Sequence, residues 1–286
     1  MDVTASFDRV RHGATALSLS EAITRGRAAF VEDDLVLQAS AIAFRALLAL
    51  IPCTLFVIGL LGFLGLDEVW TSDIVPDLRD SVSAPAFKLI DDAVTRVLTH
   101  QQVFWVTGGA LIATWQLSSI VRGVGKVLNR MYDEQADSRP LAGRLATSYL
   151  AAAAVGLLFL AAVAVVRLGP LVLDDVLWEG WTGELAGFVV RWGLAALMLL
   201  AAIGLIVRAG PEKKRPIHWI TFGALLVVGG WAGMSLAFGL YLTQIADYGS
   251  IFGNLATIFI LLEFLYLSAV VFLGGLVLDR LAQEKA

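Results

Sequence analysis

An all-α bundle of six membrane-spanning helices is the fold class this sequence predicts, and three observations carry the prediction. Six long apolar stretches run through the chain, over residues 39–66, 103–121, 145–168, 186–207, 217–242 and 251–278. A hydrocarbon core about 30 Å thick takes about 20 apolar residues per helix, and a soluble core helix is seldom so long or so uniformly apolar. The composition agrees: 58% of the 286 residues are hydrophobic and 16% charged, against about 45–50% and about 25% in soluble domains. The third observation is that the loops alternate in charge. Arg9, Arg11, Arg25 and Arg27 precede the first stretch, and Arg122, Lys126, Arg130, Arg139 and Arg144 separate the second from the third. Arg208, Lys213, Lys214 and Arg215 separate the fourth from the fifth, and Arg280 and Lys285 follow the sixth. The opposite loops carry Asp67, Glu68, Asp73, Asp77, Asp80, Asp91 and Asp92 against Arg79, Lys88 and Arg96, then Asp174, Asp175, Glu179 and Glu184 alone. By the positive-inside rule both termini are cytoplasmic, as an even number of spans requires.

In chain order, residues 1–38 form a cytoplasmic segment. Ser18 and Glu21 have capping-box spacing, and Ala22, Ile23, Phe30, Val31 and Leu35 follow as the apolar face of a helix lying on the inner membrane surface. The single transmembrane domain, 39–278, opens with a span that holds Pro52 at its middle, where the missing N–H should kink or break the helix. Gly59, Gly62 and Gly65 follow, small enough for close helix approach. Residues 67–102 are too many for a turn. Phe87, Ile90, Val94, Val97 and Leu98 recur there at helical spacing, which predicts an external amphipathic helix on the bundle or on the outer leaflet. Pro211 and Pro216 bracket a tight basic turn, Gly229 and Gly233 make a GxxxG packing pair in the fifth span, and 279–286 form a cytoplasmic tail.

The net charge of −4 is spread along the chain, and the basic clusters are accounted for by membrane orientation, so no nucleic-acid partner is expected. His12, His100 and His218 stand alone without metal-ligand spacing, and no P-loop or nucleophile elbow is present. No metal, cofactor or catalytic residue is therefore assigned. Cys53, the only cysteine, reads as a small core hydrophobe.

Polar groups inside the spans are the better lead, because they are costly in hydrocarbon and usually face a cavity or a neighbouring helix. Glu263 lies ~18 Å along the sixth span at the helical rise, near the midplane. It reads either as a coupling or substrate-contacting group or as a structural interhelix hydrogen bonder. Gln116, Asn129 and Asn254 are candidate cavity liners of the same kind. Arg45, ~9 Å into the first span, is placed to snorkel to the inner interface. Arg167 and Arg191 fall near the outer ends of the third and fourth spans, to meet an anionic headgroup or the acids Asp174, Glu179 and Glu184.

Three stretches resemble the YihY/BrkB family of bacterial inner-membrane proteins. They are Gln38-Ala-Ser-Ala-Ile-Ala-Phe-Arg-Ala-Leu-Leu-Ala-Leu-Ile-Pro52, then Trp115-Gln-Leu-Ser-Ser-Ile with Leu128-Asn129-Arg-Met-Tyr132, and a third stretch from Pro211 onward. The last runs through Phe222-Gly-Ala, Trp231, Phe238-Gly-Leu-Tyr241, Tyr248-Gly-Ser-Ile-Phe-Gly253 and Phe264-Leu-Tyr-Leu-Ser-Ala269 to Gly274-Gly275. Each motif is weak alone; their order across six spans makes the match specific. The chain departs from the family at Arg45, where an aromatic is usual, at Asn254, where a serine is, and at Leu276, where the late acidic residue is missing. The family's older label, ribonuclease BN, finds no zinc-ligand cluster to support it here.

The resemblance implies a role in the bacterial envelope. Two readings follow. One is a transporter or translocator of a lipid or other amphiphile, with membrane lipids as partners. The other is a non-transporting scaffold or assembly factor that binds a second copy or an envelope protein.

Overall fold

The computed structural model describes residues 19–66, 68–76, 79, 84–99, 102–132, 140–173, 181–210, 222–244 and 253–284, and among them every regular element is helical. The α-helices are α1 (Leu19–Glu32), α2 (Leu35–Phe63), α3 (Ala84–Thr99), α4 (Gln102–Met131), α5 (Leu141–Leu173), α6 (Trp181–Ala209), α7 (Phe222–Gln244) and α8 (Gly253–Glu284). A π-helical turn, Val69–Ile74, lies between α2 and α3. Six of them, α2 and α4 to α8, are long and apolar enough to cross a membrane.

Several helices outrun the apolar stretches of the sequence at one end. The second stretch ends at Val121, yet α4 continues to Met131. Beyond Val121 the helix turns amphipathic: Arg122, Lys126 and Arg130 follow at four-residue spacing, while Val124, Val127, Leu128 and Met131 stay buried. A drop in hydropathy marks the edge of the hydrocarbon; it does not break backbone hydrogen bonding. Pro52 is buried inside α2, which continues through it to Phe63 and is not broken there.

Local chemistry explains the helix ends. Gly65 adopts φ 68°, and the bonds Leu66 N–H to Leu61 O (2.8 Å) and Gly65 N–H to Gly62 O (3.2 Å) form a Schellman motif that closes α2. At the other end, Asp34 holds a left-handed conformation (φ 51°) between α1 and α2, which aspartate tolerates better than most residues. The Ser18 cap expected for α1 lies outside the described residues.

Packing runs α2 along α4, α5 along α6, and α8 against both α2 and α7. The main core gathers Leu35, Ile42, Val124, Leu128, Val227, Leu273 and Val277 from α2, α4, α7 and α8. Glycines set the closest approaches. A Cβ on Gly109 would stand 2.8 Å from Phe56 N, and one on Gly275 would meet the carbonyl of Gly223 at 2.7 Å. By contrast, Gly229 and Gly233 meet nothing within 4 Å, so the GxxxG pair packs no helix of this chain among the described residues. Trp231 ties α7 to α8 by donating from Nε1 to Ser268 O at 3.0 Å.

The segment between the first two spans forms the expected amphipathic helix, and it lies on the bundle. Val94, Val97 and Leu98 of α3 are buried against Ile58 of α2 and Trp70 of the π-helical turn. Trp70 Nε1 donates to Asp91 Oδ1 at 3.1 Å. At the opposite end, ion pairs join the α1–α2 junction to the last turns of α4 and α8: Arg130 to Asp34 at 2.9 Å and Arg280 to Asp33 at 3.6 Å. That end is called the α1 side below.

Candidate functional site: a basic cleft between α2, α4 and α5

On the α1 side a cavity of about 260 Å³ opens between α2, α4 and α5, lined by Arg45, Ser119, Arg122, Gly123, Lys126, Leu141, Arg144 and Leu145. Four cations from three helices share it. Helical period brings them together: Ser118, Arg122 and Lys126 repeat every four residues on one face of α4, and Arg144 and Ser148 do so on α5.

Each arginine of the central pair is held by neutral oxygens. Arg45 reaches across from α2 and donates from Nη1 to the carbonyl of Ser119 at 3.2 Å. Gly123 makes the room, since a Cβ there would sit 2.6 Å from Arg45 Nη1. Arg122 donates from Nη1 to Ser118 Oγ at 2.8 Å and to Ser148 Oγ at 3.1 Å. Both serines are buried, and their own protons go to helix carbonyls: Ser118 to Trp115 O, Ser148 to Arg144 O and Leu145 O. A hydroxyl has one donor and two acceptor sites. With the proton committed, its lone pairs face Arg122 and fix the guanidinium without neutralising it. Among the described residues no carboxylate pairs with Arg45, Arg122 or Lys126.

A smaller cavity of about 20 Å³ adjoins the first. It shares Arg122, Lys126 and Arg144 and adds Val121, Gly125, Asn129, Ser148, Ala209 and Gly210. Its floor is the contact of Gly125 with Gly210, where a Cβ on either residue would meet the other's backbone. That contact brings the end of α6 to the cleft.

Of the residues singled out in the sequence, Arg45 lines the larger cavity and Asn129 the smaller. Arg45 therefore points to α4 and does not simply snorkel along its own helix. Gln116 is half-buried one turn from Ser119, whose hydroxyl donates to its carbonyl, and it lines neither cavity. Glu263 is exposed on the surface of α8, four residues from the exposed Phe259. Its carboxylate makes no hydrogen bond or ion pair among the described residues. The side chain of Asn254 lies outside the described residues, as do Asp174, Glu179 and all three histidines. Arg167 is exposed; Arg191 lies over Gly169 and donates from Nε to Gly187 O at 3.1 Å. Neither forms an ion pair with Glu184 among the described residues. Those described residues also contain no cluster of histidine, cysteine or acidic side chains that could hold a metal.

Sequence reasoning assigns Arg122, Lys126 and Arg144 to a cytoplasmic loop, where they serve only to orient the chain. The signal that could have found the site is the helical spacing Ser118, Arg122, Lys126 running past the end of the apolar stretch.

Six apolar spans with a positively charged cleft at one end define a polytopic α-helical membrane protein. The family described as virulence factor BrkB matches residues 27–286, and the chain belongs to that family. It is 25% identical over 247 residues to a ribonuclease-like protein, YfkH, of Bacillus subtilis, covering 83% of this chain and 86% of that one. It is 26% identical over 271 residues to a UPF0761 membrane protein of Xanthomonas axonopodis pv. citri, covering 94% of this chain. The chain spans 62% of that relative's length. A UPF0761 membrane protein of Xanthomonas euvesicatoria pv. vesicatoria is similar to the same degree. No solved structure matches the chain.

Proposed function

We propose that this chain is a protein of the bacterial inner membrane, with both ends in the cytoplasm, that takes an anionic lipid or other amphiphile from the inner leaflet and moves it across. The observation that supports this is the basic cleft. Cations gathered between helices at headgroup depth on the cytoplasmic side are the usual protein contribution to anionic lipid recognition. The lining also suits an amphiphile, because Leu141 and Leu145 flank the cations. An anion would sit on Arg45, Arg122 and Lys126 while a hydrocarbon tail left along the leucines.

The test is lipid movement between leaflets in proteoliposomes, read by chemical quenching of fluorescent headgroup analogues. Wild type should exchange an anionic analogue well above the protein-free rate, and Arg122→Gln should lower that rate. Exchange at the protein-free rate for every headgroup, with and without a proton gradient, would overturn the reading.

One observation favours the scaffold as a second reading. A carboxylate on the outer surface of a span is costly in lipid, and Glu263 is exposed there. A second copy or an envelope protein covering α8 would shelter it. Glu263→Cys in a Cys53→Ser background should then form crosslinks between chains in native membranes; a monomer-only pattern, with no heteromeric adduct, counts against this reading.

A further inference from the structure

The cleft's chemistry specifies more than an anion. We propose that it binds a phosphate group carrying two or more negative charges, a phosphomonoester or pyrophosphate, held by Arg45, Arg122 and Lys126. This rests on reading the cleft as a ligand site.

Three features lead there. First, Arg45 and Arg122 are anchored by neutral acceptors, a carbonyl and two buried hydroxyls whose protons are already committed. Their positions are set and their charge is left over. No carboxylate pairs with these two among the described residues, so their partners offset none of the charge. Second, like charges repel at short range in a medium less polarisable than water, yet the fold leaves space for the convergence. Gly123 admits the Arg45 guanidinium alongside α4, and a Cβ there, 2.6 Å from Arg45 Nη1, would make the guanidinium shift. A single negative charge would leave most of the positive charge of the three residues uncompensated; a dianion comes close to balancing it. Third, the donor types fit. Guanidinium forks take two phosphate oxygens at once, and a lysine adds a mobile point charge. Among the described lining residues no carboxylate waits for the ammonium of a zwitterionic headgroup, so such lipids are disfavoured.

The experiment uses the full chain in nanodiscs of phosphatidylethanolamine doped with either phosphatidic acid, a phosphomonoester, or phosphatidylglycerol, a phosphodiester, matched for total charge. Lipid retained per protein is read by mass spectrometry after mild delipidation. Phosphatidic acid should be retained about tenfold over phosphatidylglycerol, and Arg122→Gln should lose about tenfold of that retention, as one charge-assisted contact implies. Gly123→Ala keeps every charge but displaces Arg45, and it should lose retention too. Arg25→Gln, an equal charge change on α1 away from the cleft, should not.

Equal retention of the two lipids, or retention unchanged in both cleft variants, rules out a lipid as the carrier of that phosphate. A parallel arm adds inorganic pyrophosphate to undoped discs and reads the melting temperature. Stabilisation that Arg122→Gln abolishes, with no selective lipid retention, keeps the phosphate assignment and defeats the lipid reading. Neither stabilisation nor selective retention defeats both.

Discussion

Single glycines and serines decide how close the helices of this chain can come and which charges they can carry. Gly275 and Gly223 bring α8 against α7, and a Cβ on Gly275 would run into Val227 and the Gly223 carbonyl. Gly275→Val should cost about 3 kcal/mol or more, because backbone cannot move aside as a flexible side chain can. Gly229→Ala and Gly233→Ala meet open space and should stay within about 0.5 kcal/mol of wild type in unfolding from detergent micelles. A clear loss in the last two would place an unseen partner on α7. The serines make a second prediction. Ser148→Ala removes one of the two hydroxyls that receive Arg122 Nη1 and should destabilise by about 1.5–3 kcal/mol, as for a hydrogen bond to a charged group.

At the scale of elements, the hydropathy pattern finds every span, and the helical period finds α3 with its correct inward face. Phe87, Ile90, Val94, Val97 and Leu98 are readable as one stripe; Val94, Val97 and Leu98 bury, while Ile90 stays exposed. What the stripe faces is not readable, because membrane and bundle are both apolar and a hydrophobic face fits either. The structure decides for the bundle, where Trp70 and Ile58 receive it. Val97→Asp should therefore release α3, seen as protease cleavage within 84–99 that the wild type resists; unchanged cleavage would mean that α3 is held from elsewhere. The end of α4 escapes hydropathy for a definable reason. A search for apolar windows stops at the first cluster of charges, whereas a helix stops only when its backbone bonds do. The stretch from Arg122 to Met131, basic on one face and buried on the other, is lost to that difference, and the cleft goes with it.

For the whole molecule, alternating loop charge predicts one orientation. In a Cys53→Ser background, Asp92→Cys should react with an impermeant thiol reagent added outside intact cells, while Arg25→Cys and Glu284→Cys should react only after the membrane is opened. Reaction of all three from outside would overturn the assignment. The first and last described helices meet on the α1 side, where Asp33, Asp34, Arg130 and Arg280 join α1, α2, α4 and α8. Arg130–Asp34 is too exposed to add much stability, whereas Arg280–Asp33 is partly buried.

The amino-acid sequence by itself determined the number of spans, the amphipathic helices and the family, because each depends on composition or on short-range periodicity. It also contained Arg45 and Asn129 as residues worth attention. Only the tertiary structure decided that Arg45 of α2, Arg122 and Lys126 of α4 and Arg144 of α5 share one cavity, and that Glu263 lies apart from them on the surface of α8. Which charges meet depends on helix rotation and approach. Those are set by contacts between residues far apart in the chain, such as Gly123 with Arg45 or Gly125 with Gly210, and no local pattern encodes them.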